Sequence, residues 1–263
     1  LAKAEVRRNM NLTPLMKAAM IAVRDCMGAQ PGENALVVTD TGKLAIAESF
    51  LYAFHSLGID ATLMVMTPRD HHAQEPPSEV RAAMLSSDIA LLVTTKSLTH
   101  THARVDATNQ GVRIASLPGI TEDIMTIGAM TADYQKVSEL SWKLTKLMES
   151  TQEVEITTEL GTHLVMSLKG RKPGIPPDDG IYREKGRWGN LPAGEAYIAP
   201  VEESVNGVAV IDGSQSPLGL LSTPIRITIQ DGKAIKFEGG AEATQFERHL
   251  QSLNDPNAYW VAE

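Results

Sequence analysis

Four short apolar runs, each followed by a segment with helical spacing, constrain the fold of this chain more than any other feature. The runs cover residues 35–39, 61–66, 89–94 and 112–117. Strands that are apolar along their whole length are typical of parallel sheets, because both faces of such sheets are covered. Their alternation with helices predicts a doubly wound α/β layer. We therefore predict an N-terminal α/β domain with a parallel sheet over residues 1–150.

The pattern changes after residue 150 to closely spaced strands. Strands are predicted at residues 154–157, 163–168, 196–199, 208–211, 225–229 and 234–238. Asp231-Gly232 is a strong hairpin signal between the last two, and a helix is predicted over residues 241–253. Residues 173–194 are dense in glycine, proline and charge, which predicts a long loop. The second half is therefore predicted to be a β-rich α+β domain over residues 151–263.

Charge balance and cysteine count argue against several functional classes. The net charge of -8 is unfavourable for binding nucleic acid or an anionic membrane. No apolar run approaches the roughly 20 residues that span a bilayer, and no secretory signal is recognised at the start. The single cysteine, Cys26, fits a reducing compartment and a buried position on a helix. We expect a cytoplasmic protein with a small-molecule substrate and no nucleic acid or membrane partner.

Two histidines near the end of the third predicted strand are candidate catalytic residues. Ligands of doubly wound sheets bind beyond the carboxyl ends of the strands, and His100 and His102 lie there, on either side of a predicted helix start. Their imidazoles could shuttle a proton or donate hydrogen bonds. The alternative is a helix cap with solvated rings. The turn at residues 39–43 lacks the glycine patterns of nucleotide-binding loops, so no nucleotide site is predicted.

Glu195 is the candidate metal ligand. It follows a glycine turn at residues 191–194 and precedes an apolar run, so its backbone is expected to be stiff, as a metal ligand requires. The alternative is a hairpin that carries solvated acids. The chain contains no H-E-x-x-H, C-x-x-C or G-x-S-x-G motif, so none of the corresponding zinc, redox or serine-hydrolase sites is predicted.

Four segments carry a resemblance to a known family: residues 32–40, 161–164, 169–171 and 190–200. With them the chain resembles the aminopeptidase T family of dinuclear metallopeptidases over essentially its whole length. That family is similar in fold to the 2,5-dihydroxypyridine ring-cleaving dioxygenases, which use a single iron. The resemblance implies that Glu195 and Glu263 are metal ligands, that the remaining ligands lie downstream of Glu263, and that the protein is a homodimer. We therefore expect this sequence to be part of a longer chain.

The resemblance predicts a metal-dependent aminopeptidase-like hydrolase, which would release N-terminal residues from peptides through metal-activated water. The expected metals are divalent zinc, cobalt, manganese or magnesium, and His100 and His102 would orient the substrate or carry a proton. A carboxylate-rich ligand set favours this reaction over an iron site of two histidines and one carboxylate. Two alternatives stay open. One is an iron-dependent dioxygenase that opens a dihydroxypyridine-type ring, and the other is a non-catalytic binding or oligomerisation module.

Overall fold

The structure is a computed structural model that describes residues 13–262, and the chain divides into two compact units. The first unit comprises Leu1–Trp142 and Asp178–Glu195, and the second comprises Lys143–Pro177 and Ala196–Glu263. The first is built on a five-stranded parallel sheet and the second on a five-stranded antiparallel sheet. The predicted α/β fold class is therefore confirmed. The domain bounds 1–150 and 151–263 stay a prediction of how the chain folds.

Strands and helices alternate in the first part of the chain, whereas strands predominate after residue 150. The strands are β1 Asn34–Asp40, β2 Asp60–Met66, β3 Ile89–Val93, β4 Arg113–Ser116, β5 Glu153–Thr157, β6 His163–Ser167, β7 Trp188–Asn190, β8 Asn206–Ile211, β9 Ser214–Gln215, β10 Gly219–Leu220, β11 Ile225–Gln230 and β12 Lys233–Glu238. The α-helices are α1 Pro14–Met20, α2 Leu44–Ser56, α3 Ser78–Leu85, α4 His102–Asn109, α5 Glu122–Thr126, α6 Tyr134–Ser150 and α7 Gly240–Ser252. A π-helical stretch, Ile21–Cys26, follows α1 directly, and 3-10 turns lie at Ala129–Thr131 and Pro256–Tyr259.

Strands β1, β3 and β4 of the parallel sheet are buried on both faces, as their apolar runs predict, whereas the edge strand β2 is only partly buried. The strand order of the sheet is β2-β1-β3-β4-β7. Alternate residues of β1 enter different cores: Val37 packs with Phe50 and Phe54 of α2, whereas Val38 packs with Met84 of α3 and with residues of α4. Because both faces of β1 are covered by helices, the sequence shows no polar alternation there.

The fifth parallel strand is the part of the fold that the sequence misses. Residues 173–194 are predicted to form a loop, yet Trp188–Asn190 pairs in parallel with β4, Ala115 lying opposite Gly189. The strand is only three residues long and contains a glycine, so it has no apolar run to reveal it. Conversely, the strand predicted at 196–199 is wrong, because these residues form no sheet ladder and the Tyr197 carbonyl accepts a single backbone bond from Gly174.

The antiparallel sheet has the order β12-β11-β8-β6-β5 and covers a small core on one face. Strand β11 shows the alternation expected of a half-buried strand: Ile225, Ile227 and Ile229 are buried, while Arg226 and Gln230 are exposed. Helix α7 contributes Ala243 and other residues to this core. Within residues 13–262, no helix is both long and apolar enough to span a bilayer.

Candidate active site

The crevice between β1 and β3 is where a doubly wound sheet of this order would first be expected to bind a ligand. Asp40 occupies it. The Asp40 carboxylate is fully buried and accepts hydrogen bonds from the Thr95 amide at 2.5 Å, the Thr95 hydroxyl at 2.8 Å and the Gly42 amide at 2.9 Å. These donors satisfy the carboxylate and tie the loop after β3 to the end of β1. Asp40 therefore holds the sheet edge together rather than presenting a free acid.

Polar side chains converge instead at the carboxyl ends of β3, β4 and β7. The centre of this cluster is Thr99, which is 3% exposed. Its hydroxyl lies 2.8 Å from Ser97 Oγ, 2.9 Å from Ser116 Oγ and 3.1 Å from Asn190 Oδ1. Thr99 thus joins the loop after β3 to the ends of two neighbouring strands.

Arg104 fixes the same loop from the first turn of α4. Its guanidinium lies 3.7 Å from the centroid of the Trp188 ring, and its Nε donates to the Thr99 carbonyl at 2.7 Å. Burial lowers the pKa of Arg104, and among the described residues no carboxylate forms a salt bridge with it. Stacking on an indole therefore compensates part of the lost hydration of this cation.

His100 and His102, the predicted catalytic residues, are both exposed at this edge of the sheet. The His100 ring meets the Trp188 ring edge to face, with centroids 6.5 Å apart. His102 is the first residue of α4, where its amide donates to the Glu75 carboxylate at 2.5 Å and the Thr101 hydroxyl caps the helix. Both imidazoles are accessible to solvent, and their catalytic role stays a prediction.

His72, in the loop after β2, packs beside the same loop. Its Nδ1 accepts a hydrogen bond from the Ser97 amide at 3.1 Å, and the Ala73 amide donates to the Ser97 carbonyl at 2.8 Å. The accepting Nδ1 carries no proton in this arrangement. These two bonds hold the loop after β2 against the loop that carries His100.

A cluster of partly buried Asp178, fully buried Tyr182 and partly buried Asn190 lies next to Thr99. The Tyr182 hydroxyl contacts the Asp178 carboxylate and lies 2.5 Å from the Asn190 carbonyl oxygen. The Asn190 amide donates to Asp178 Oδ2 at 3.1 Å. Tyr182 is fully buried, and a Cβ on Gly189 would overlap Asp178 Oδ1. Glycine is therefore required at position 189 for the cluster to form.

Proton counting indicates which form of Asp178 the cluster favours. A tyrosine hydroxyl has one proton, yet the Tyr182 oxygen contacts two acceptors. If Asp178 is protonated, it donates to Tyr182, and Tyr182 donates to the Asn190 carbonyl. Burial raises the pKa of Asp178, although its hydrogen bonds oppose this shift. Burial and the nearby Asp178 raise the pKa of Tyr182, so the phenol keeps its proton. With Asp178 protonated, each of these contacts has one donor and one acceptor.

Glu195 is placed by the same cluster. Its amide and that of Gly194 both donate to the Asp178 carbonyl at 3.0 Å, and the Asp178 amide donates to the Glu195 carbonyl at 3.1 Å. The backbone of Glu195 is therefore fixed, as the turn signal predicts, and its side chain is exposed. Its role as a metal ligand stays a prediction.

The second predicted metal ligand, Glu263, lies outside the described residues. Among residues 13–262, no three histidine, cysteine, aspartate or glutamate side chains come together in a way that could hold a metal ion. The described residues therefore do not assemble a metal site by themselves.

Sequence reasoning missed Arg104, Asp178 and Tyr182, which organise the site. Asp178 and Tyr182 lie in the segment predicted to be a loop, and nothing local indicates that this segment returns to the first sheet. The only signal is the density of glycine and proline around them, which marks a segment with demanding backbone geometry.

The family follows from a match over nearly the whole chain. Residues 16–263 match the family model described as 2,5-dihydroxypyridine 5,6-dioxygenase. This chain belongs to that family. A curated member, the 2,5-dihydroxypyridine 5,6-dioxygenase of Pseudomonas putida, is 25% identical over 119 residues, which are 44% of this chain. The match spans 33% of that relative, about a third of its length.

Two solved structures share the fold. The 2,5-dihydroxypyridine dioxygenase of Pseudomonas putida KT2440 superimposes with a TM-score of 0.73 at 16% identity, over 94% of this chain and 74% of that one. AmpT from Thermus thermophilus gives a TM-score of 0.57 at 16% identity, over 94% of this chain and 76% of that one. At this identity the likeness establishes the fold alone.

The predicted aminopeptidase-like hydrolase is wrong, because the family match and the curated relative are dioxygenases. The descriptions hydrolase, metallopeptidase and protease are wrong with it. The error has a structural reason. The segment at 190–200 that carried the resemblance supplies the end of strand β7, the Asn190 contacts and the Glu195 backbone pair. In this structure those residues build the scaffold, and both solved structures share its fold, so the segment indicates the fold and not the reaction.

Proposed function

We propose that this protein is a dioxygenase that opens a dihydroxylated pyridine ring. The observation that carries the proposal is the family match over residues 16–263. A ring-opening dioxygenase places both atoms of O2 in its product, and oxidation of the cleaved ring supplies all four electrons, so the reaction requires no external reductant. The substrate is a small, flat, polar aromatic molecule, which suits an edge of a sheet lined by hydroxyl, amide and imidazole groups.

In this proposal His100 and His102 act on the substrate. Ring opening of a hydroxypyridine requires removal of a hydroxyl proton, and an exposed imidazole is the side chain best matched to that transfer near neutral pH. The Trp188 ring beside His100 would limit where a flat substrate lies. The fixed loop from Ser97 to Thr101 supports this placement, because a general base works only when its distance to the proton is held.

The proposed cofactor is a divalent metal, iron(II). Reactions with O2 generally depend on haem, flavin, copper or non-haem iron, and a bound iron would supply the activation of O2. Glu195 and Glu263 are the proposed ligands from this chain. They do not complete a site alone, since a catalytic transition metal is usually held by about three protein ligands.

Oxygen uptake with isotope labelling tests the proposal. The purified protein is loaded anaerobically with iron(II) and mixed with 2,5-dihydroxypyridine under 18O2. We expect loss of the aromatic absorbance, uptake of one O2 per substrate and a product that carries two 18O atoms. Treatment with an iron chelator should abolish the reaction, and iron(II) should restore it.

Two results would contradict the proposal. One is the absence of O2 uptake from a folded, iron-loaded protein across a set of mono- and dihydroxylated pyridines. The other is a product with a single labelled oxygen, which would indicate a monooxygenase. The Glu195→Gln variant tests the ligand assignment separately, and unchanged iron content and turnover would disprove it.

A further inference from the structure

We infer that Tyr182 and Asp178 are positioning residues that hold the segment carrying His100 in register with the segment carrying Glu195. The inference rests on the proposed function in one respect, since it takes His100 and Glu195 as residues of the working site. The hydrogen bonds that support it are independent of that assumption.

Asp178 connects the segment of Glu195 with the segment of His100, and its connection to Glu195 is made by backbone hydrogen bonds. The Asp178 carbonyl accepts from the amides of Gly194 and Glu195, both at 3.0 Å, and its amide donates to the Glu195 carbonyl at 3.1 Å. The two residues thus exchange a pair of bonds, as paired residues of an antiparallel bridge do. A displacement of Asp178 therefore displaces the Glu195 backbone directly.

The connection from Asp178 to the loop that carries His100 is made through Asn190 and Thr99. Asp178 Oδ2 accepts from the Asn190 amide at 3.1 Å, and Asn190 Oδ1 lies 3.1 Å from the Thr99 hydroxyl. The Thr99 carbonyl, on the other side of the same residue, accepts from Arg104 at 2.7 Å. Thr99 precedes His100 directly, so its side chain and its backbone are both fixed next to the imidazole.

Tyr182 contacts both Asp178 and Asn190, the residues through which the two segments are connected. Its hydroxyl contacts the Asp178 carboxylate and the Asn190 carbonyl at once, so it fixes the distance between the residue that pairs with Glu195 and the residue that contacts Thr99. Its ring belongs to the core of the first unit together with Cys26 and Tyr134. Removing the hydroxyl alone leaves the ring packing in place, which separates positioning from folding.

The test compares Tyr182→Phe with Tyr134→Phe. Tyr134 is a second buried tyrosine of the same core, 2% exposed, whose hydroxyl donates to the Ala129 carbonyl at 3.3 Å. Each variant loses one buried hydroxyl, so similar losses of stability are expected. For Tyr182→Phe we expect a decrease in kcat of about 10-fold or more with KM changed less than about threefold. For Tyr134→Phe we expect neither parameter to change.

Amide hydrogen exchange provides the readout that does not depend on turnover. In Tyr182→Phe, exchange at Glu195 and Thr99 should accelerate about 10-fold or more relative to amides of β1, whereas Tyr134→Phe should leave this ratio unchanged. The Thr99→Val variant, which removes only the hydroxyl contacts of Thr99, should accelerate exchange near Thr99 and leave Glu195 protected. If Tyr182→Phe does not fold, Asp178→Ala replaces it as the test variant. It removes the carboxylate that contacts Tyr182 and Asn190, so exchange should accelerate at both Glu195 and Thr99.

Each outcome decides a different question. If the wild-type protein does not turn over dihydroxypyridine, the proposed function fails. The positioning role is then tested by the hydrogen-exchange data alone. If exchange and kcat are unchanged in Tyr182→Phe, or if both tyrosine variants change equally, the positioning role is overturned. A loss of kcat without faster exchange would also overturn it, because it would assign the hydroxyl to the chemistry itself.

Discussion

At the scale of single residues, the site contains groups of two kinds. His100 and His102 are exposed and able to meet a substrate, whereas Thr99, Arg104 and Tyr182 are buried and hydrogen-bonded. The buried residues hold the exposed histidines in position. A substitution at an exposed imidazole should therefore affect turnover with little loss of stability, and a substitution at a buried group should affect both.

His100→Gln tests the exposed kind. We expect kcat for dihydroxypyridine opening to fall about 10²- to 10⁴-fold, the usual contribution of a general base, while the melting temperature changes by no more than a few degrees. His102→Gln, measured alongside, identifies which imidazole carries the larger share. His55→Gln is the matched control, because His55 is exposed near the end of α2. Full activity in both His100→Gln and His102→Gln would exclude the proposed role.

Asp178→Asn tests whether the raised pKa of Asp178 contributes to the pH dependence of stability. The raised pKa of Asp178 means that the folded protein holds the carboxyl proton more tightly than the unfolded chain. The contribution of this proton to the stability of the folded state is therefore fully present below the unfolded pKa of about 3.9. It is lost as pH rises through the folded-state pKa. Asn cannot ionise, so the free energy of unfolding of Asp178→Asn should improve relative to wild type as pH rises from about 4 to 7.

Urea unfolding at several pH values measures this difference. Asp212→Asn, at an exposed position, controls for the loss of one charge. A difference between wild type and Asp178→Asn that moves in the opposite direction with pH would show that the carboxylate is the favoured folded form.

At the scale of elements, strand β7 is the feature on which the site depends. It brings Asn190 to Thr99, and its central residue, Gly189, lies against Asp178 and Tyr182. We expect Gly189→Ala to lower the free energy of unfolding by about 1–3 kcal/mol, because a Cβ there would overlap both side chains. Gly213→Ala is the control, since a Cβ at Gly213 meets no atom within 4 Å. Thermal unfolding measures both, and equal melting temperatures would contradict the assigned packing.

The same strand shows how far sequence reasoning extends. Strands β1 to β4 are predictable because each coincides with a short, mostly apolar run, and the ends of β1 and β3 place Asp40 and His100 at one edge. Trp188-Gly189-Asn190 has no such pattern. Its pairing is decided by the Asp178 and Tyr182 contacts, which no local pattern encodes. The strand predicted at 196–199 is wrong for the converse reason, because the segment is apolar but has no ladder partner.

At the scale of the whole molecule, each unit has its own core. The single cysteine lies in a core of the first unit, so its reactivity measures whether that core is intact. Cys26 is fully buried among residues from α1, α2 and the sheet. Cytoplasmic location and a homodimer stay predictions at this scale. Sedimentation velocity measures the second directly, through the mass of the particle in solution.

Thiol labelling tests the integrity of that core. Burial raises the pKa of the Cys26 thiol, so the thiol stays neutral and unreactive at a mildly alkaline pH. We expect Ellman's reagent to leave the native protein unlabelled and to label one thiol per chain in guanidinium. Urea should increase the labelling rate in step with unfolding of the first unit. Rapid labelling of the native protein would indicate a core that opens locally around Cys26.

The late position of β7 in the chain also has a consequence for synthesis. Ile114 pairs with Trp188, so the first sheet cannot be completed until the ribosome has released the long stretch between them. Until then the outer edge of β4 remains open on the nascent chain, and pairing over such a distance slows folding. An unpaired edge is a template for intermolecular pairing. A nascent chain whose Trp188–Asn190 strand is still inside the ribosomal exit tunnel should therefore bind chaperones more than one from which this strand has emerged.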